Sequence, residues 1–68
     1  MKISARNQLK GKIVDVKKGT TTTHVKIEVG GAIVTAAITN EAVAELKLKK
    51  GQMAYAVVKA SDVMVAID

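Results

Sequence analysis

Cysteine is absent from the 68 residues, and so is any CxxC or HxxH pair. Neither a disulfide nor a structural zinc can therefore brace a chain of this length. Phenylalanine and tryptophan are missing and Tyr55 is the one aromatic residue, which removes the row of stacking platforms on which single-stranded nucleic acid is usually held. No apolar run approaches the about 18 residues of a membrane span. The N-terminus lacks the charged-then-apolar layout of a secretory signal, so a cytoplasmic location is expected.

What is present is a chain that is 49% hydrophobic and built from Val, Ile, Ala and Leu. Sixty-eight residues make one small domain, 1–68, and a domain of this size buries only a modest share of its surface. With disulfide and zinc excluded, oligomerisation remains as the supplement to the core. Eleven Lys plus Arg against six Asp plus Glu give a formal net charge of +5, which favours a negatively charged partner without naming it.

Along the chain, QLKGKIVDVKKG has the β-branched content of a strand ending at Lys17-Lys18-Gly19, and Gly11 within it predicts a bulge or bend. THVKIEVGG alternates, with Val25, Ile27 and Val29 on one face and His24, Lys26 and Glu28 on the other. Gly30-Gly31 predicts a tight hairpin. AIVTAAIT is a third strand with Val34 and Ile38 inward. NEAVAELKLKKG then changes period, and predicts a helix of two to three turns with Asn40 as N-cap, Val43 and Leu46 on one side and Gly51 as stop. QMAYAVVKA and DVMVAI read as two more strands, with Met53 and Met64 packing in the core.

Three strands, a short helix and two strands is the element order of the five-stranded OB-type Greek-key barrel, so the expected class is all-β with one short helix. The customary ligand of that barrel is single-stranded nucleic acid. Without aromatics, such binding would rest on phosphate contacts and be weak and salt-sensitive, and it stands as the alternative reading.

SARNQLKGKIVDVKKG at the start, TTTTHVKIEV after it, the Thr35 to Thr39 strand end running into a helix, and KASDVMVAID at the close resemble the molybdate-binding Mop domain. Its single-domain form is called molbindin, and TOBE domains are closely similar. The resemblance spans nearly the whole chain. It implies an OB-type fold assembled as a homohexamer, a trimer of dimers, with molybdate or tungstate bound between subunits and no organic cofactor. It also implies the site: Ser4, Ala5, Arg6 and Asn7, with Lys59, Ala60 and Ser61 and with Thr39 at the end of the third strand. A second class of site on the threefold axis is implied without residues that can be placed.

A tetrahedral dianion offers only acceptors, so its ideal shell is all donors. Ser4, Ser61 and Thr39 have hydroxyls, Arg6 and Lys59 have charge, and Ala5 and Ala60 expose backbone N–H groups. At neutral pH much of phosphate carries a proton, which finds no acceptor in such a cage. Sulfate has no such proton, and its exclusion rests on cavity size. Taken singly, these residues have plainer readings. Ser4 and Asn7 suit side-chain to backbone bonds that order the terminus, Arg6 and Lys59 suit solvated charges, Ser61-Asp62 suits a turn, and Thr39 could share the N-cap.

Catalysis has little to stand on. There is no Gly-rich phosphate loop, no Ser-His-Asp set in context, and the six carboxylates are scattered over separate elements. His24 has no second ligand at metal-binding spacing and reads as an exposed or interface residue. A non-enzymatic oxyanion-binding protein for intracellular molybdenum storage is the expectation.

Overall fold

The computed structural model covers residues 1–68. It has four strands, β1 (Asn7–Lys18), β2 (Thr22–Val29), β3 (Ala32–Thr39) and β4 (Met53–Val58), with a helix α1 (Asn40–Leu46) between β3 and β4 and a 3-10 turn at Ala60–Asp62. The strands form one antiparallel sheet in the order β3-β2-β1-β4.

β1 organises this sheet because it is long enough to serve two neighbours. Its first half, Asn7 to Lys12, pairs with β4, and its second half, Lys12 to Lys18, pairs with β2. The register slips between Ile13 and Asp15. The bulge therefore lies past Gly11 and not at it. Gly11 serves a different purpose, since a Cβ there would run into the Glu28 carbonyl oxygen and stand 2.8 Å from the Ile27 and Val29 methyl carbons. Only a residue without a side chain lets β1 cross β2 so closely.

The hairpin is as the paired glycines predict. Gly30 and Gly31 have φ of +54° and +85°, and Val29 pairs with Ala32 to close the two-residue loop. Alternation in β2 also holds, since Val25 and Ile27 are buried while His24, Lys26 and Glu28 are exposed. Val34 and Ile38 are half-buried on the inward face of β3.

Four expectations need correction. The fifth strand does not form: Val63 to Asp68 pairs with nothing, and Met64, Val65 and Ile67 are 92%, 91% and 93% exposed. A β-prone alternation becomes a strand only where it docks on an edge, and this segment docks on neither of its own sheet's edges, β3 and β4. The architecture is accordingly a four-stranded sheet with one short helix, not a five-stranded closed barrel. Thr39, not Asn40, is the N-cap of α1, its hydroxyl accepting the Ala42 N–H at 3.1 Å. The helix stops before Gly51, at Leu46, because Lys47 takes a left-handed conformation (φ 53°) and its N–H returns to the Ala44 and Val43 carbonyls. Leu46, Met53 and Met64 are exposed, so neither methionine packs in the core.

Seven of the 68 residues are buried, and the apolar cluster proper is Ile13, Val25, Ile27 and Ala56. Beside it opens an apolar cleft of about 500 Å³, reached by Tyr55, Val57 and Leu48. The monomer is thus a sheet whose inner face is partly uncovered, which agrees with the thin core that the length implies.

Candidate functional site

The end of β4 and the start of β1 lie side by side. Asn7 pairs with Val58 in the register, and the Asn7 carboxamide donates to the Val58 carbonyl at 3.1 Å. Since Ser4-Ala5-Arg6 leads into Asn7 and Lys59-Ala60-Ser61 follows Val58, the two segments diverge from one anchored point. This is the part of the expected donor set that a single chain brings together.

Each segment is shaped to leave donors free. Ala5 is buried at 8% while Ser4 and Arg6 are exposed, so the middle of the first segment is pinned and its flanks face outward. The Gln8 carboxamide donates to the Ala5 carbonyl at 2.9 Å and closes this bend. In the second segment the Asp62 N–H bonds to the Lys59 carbonyl at 2.9 Å and the Val63 N–H to the Ala60 carbonyl at 3.3 Å. The N–H groups of Ala60 and Ser61 precede the first of these bonds and have no carbonyl of the turn to reach. Lys59, Ala60 and Ser61 are all exposed.

Asn7 is therefore both a member of the segment and the latch between its halves, which accords with the plainer reading of its amide. Thr39 stands apart. It pairs with Thr22 at the end of the sheet where β1 finishes, on the edge strand opposite β4. One chain thus separates Thr39 from Ser4–Asn7 by the length of β1 and the width of the sheet. Its hydroxyl accepts from Ala42 and keeps a proton to donate.

Two features lie outside the expectations that the sequence supports. Gln8 has the look of an ordinary strand residue, although an amide three residues beyond Ala5 is placed to close a bend. Asn40 is expected only as a cap. Its side chain instead accepts from the buried Thr23 hydroxyl at 2.6 Å and donates to the Gly19 and Thr20 carbonyls at 3.1 and 3.2 Å. It fastens the β1–β2 loop to the helix start. On the outer side of that loop, Lys17, Lys18 and His24 border a hollow of about 340 Å³ lined by no hydrophobic residue. No group of three or more His, Cys, Asp or Glu is gathered to hold a metal ion, and no helix is long and apolar enough to cross a membrane.

The geometry can be set beside known proteins. The TOBE domain matches residues 3–65. Molybdenum-pterin-binding protein 2 of Clostridium pasteurianum is 52% identical over 66 residues, covering 96% of this chain and 97% of its own. A probable molybdenum-pterin-binding protein of Haemophilus influenzae is 46% identical over 69 residues, with both chains fully covered. Among solved structures, MopII from Clostridium pasteurianum superposes with a TM-score of 0.91 at 49% identity, over 97% of this chain and 100% of that one. A molybdate-binding protein from Sporomusa ovata gives a TM-score of 0.94 at 37% identity, over 98% and 100%. The cytoplasmic molybdate-binding protein ModG, with molybdate bound, gives 0.89 at 43% identity, over 94% of this chain and 46% of its own.

Proposed function

The chain belongs to the TOBE domain family, and on that premise we propose that it binds molybdate, or tungstate in its place, as a storage and buffering protein of the cytoplasm. The work is binding, not catalysis, and release follows the free anion concentration. Ser4, Arg6, Lys59 and Ser61 supply hydroxyls and charge, Ala5 and Ala60 supply backbone N–H groups, and Asn7 holds the two segments together. The observation that carries this reading is the Asn7–Val58 pairing, which sets two donor-rich segments beside each other in a chain whose relatives bind molybdate.

The pocket lies between subunits in this reading. Thr39 lies on the edge strand opposite β4, and in this reading a second copy brings its Thr39 to Ser4–Asn7. The exposed Val63–Ile67 tail and the apolar cleft beside Ile13 are surfaces that further copies would cover, in keeping with a hexamer. Membership of a binding family and the donor-only chemistry of the segments support an inorganic anion as the ligand, with no organic cofactor in the proposal.

Native mass spectrometry tests the proposal directly. The purified protein is titrated with molybdate, with sulfate and with a short single-stranded oligonucleotide. A hexamer that gains several molybdates and ignores sulfate is the expected result. A species that ignores molybdate and takes up the oligonucleotide would overturn it in favour of a nucleic-acid module.

A further inference from the structure

The bend at Ser4–Arg6 lies outside every backbone ladder. β1 begins only at Asn7, and neither Ala5 nor Arg6 donates to any backbone carbonyl. Burial of Ala5 holds the middle of the segment, but no ladder fixes the rotation of the peptide planes beside it. One side chain does fix a plane here. Gln8 donates its amide to the Ala5 carbonyl at 2.9 Å.

We propose that Gln8 is a positioning residue of the anion site, aiming the backbone N–H of Arg6 at the bound oxyanion. The Ala5 carbonyl and the Arg6 N–H belong to the same planar trans peptide and point in opposite directions. Holding the carbonyl toward Gln8 therefore turns the N–H away from it. That N–H has no partner within the chain, and Arg6 is exposed. A preset N–H donor adds to binding without the ordering cost that a free bend would incur on each encounter. Gln8 itself is exposed, and its backbone is held by pairing with Val57 independently of the side chain. Its substitution should spare the fold.

The inference rests on the reading that Ser4–Asn7 lines the anion site, and the experiment separates the two. Molybdate affinity is measured by calorimetry for the parent, Gln8→Ala, Gln8→Glu and Ser61→Ala, with native mass and thermal midpoint recorded for each. Exchange of the Arg6 amide hydrogen is followed by NMR with and without molybdate. Loss of one neutral hydrogen bond corresponds to a roughly three- to tenfold loss of affinity. Gln8→Ala should show it at unchanged mass and midpoint. Gln8→Glu, whose carboxylate repels the Ala5 carbonyl, should lose more. In the parent, molybdate should slow exchange of the Arg6 amide, and in Gln8→Ala it should do so less.

Weakened binding in Ser61→Ala with parental binding in both Gln8 variants would overturn the positioning role alone. Parental binding in all three variants would overturn the site itself. Lower affinity accompanied by a fall in assembly mass or midpoint would assign Gln8 to folding, and the inference would fail.

Discussion

Replacing Gly11 by alanine adds one methyl group at the point where β1 crosses β2. The new carbon would collide with the Glu28 carbonyl oxygen and press on methyl carbons of Ile27 and Val29 at 2.8 Å. A flexible side chain could swing aside, but a backbone carbonyl in the middle of a ladder cannot, so the strands must separate. Overfilling a packed site costs about 1–3 kcal/mol, and an immovable obstacle places this one at the upper end. Relief of glycine's extra unfolded-state entropy offsets roughly 0.5–1 kcal/mol. The net loss is about 2 kcal/mol, against a total stability of about 3–10 kcal/mol for a chain of this length. At roughly 4–8 °C per kcal/mol, the thermal midpoint should fall by roughly 8–16 °C. Gly30→Ala is the control. A Cβ there meets nothing within 4 Å, although φ is +54°, so the strain should cost only about 1 kcal/mol. Both variants and the parent are melted at one fixed protein concentration by circular dichroism. A Gly11→Ala midpoint within about 4 °C of the parent, or a larger fall for Gly30→Ala, would refute the steric argument.

Asn40→Ala removes the acceptor of the buried Thr23 hydroxyl together with the bonds to Gly19 and Thr20, and should cost about 1–3 kcal/mol in urea denaturation. A loss below about 0.5 kcal/mol would mean that water replaces Asn40 fully. Arg6→Ala should weaken molybdate binding and flatten its salt dependence while leaving the melting curve in place; unchanged affinity by calorimetry would remove Arg6 from the site. A chain ending at Asp62 lacks the exposed Val63–Asp68 tail and should fail to assemble. A truncated protein that still sediments with the mass of the full assembly would show that the tail has no part in it.

Much of the sheet is legible in the sequence because its signals are local. His24, Lys26 and Glu28 alternate with Val25 and Ile27, and β2 has a paired strand on each side to receive that period of two. Gly30-Gly31 specify their turn through backbone conformations that other residues avoid. Apart from the helix end, which a local left-handed Lys47 decides, the errors arise where the answer depends on a residue distant in sequence. Gly11 signals something unusual in β1, but only the position of Glu28 decides that it is a close crossing and that the bulge comes later. Asn40 is as good a cap as Thr39 by type, and the choice falls to Thr39 because Thr23, Gly19 and Thr20 occupy the Asn40 amide. The last segment, DVMVAI, has the pattern of a strand but pairs with neither edge of its own chain's sheet. Of the candidate site, the two donor segments are visible in SARN and KAS, whereas their junction through Asn7 and Val58 requires the register of β1 on β4.

Ala5 is the buried centre of a segment whose neighbours on both sides are exposed. A loop held by its middle behaves as a fixed pivot with two free arms. The arms, Ser4 and Arg6, can follow an ion by rotating side chains on the picosecond to nanosecond scale, while the backbone between them stays in place. In the proposed site, ion capture would then need no loop closure, and its rate would approach that of diffusion into a positive field. How long an anion stays is set by how well its oxygens match the donors, so discrimination between anions of similar charge appears as a difference in their rates of escape.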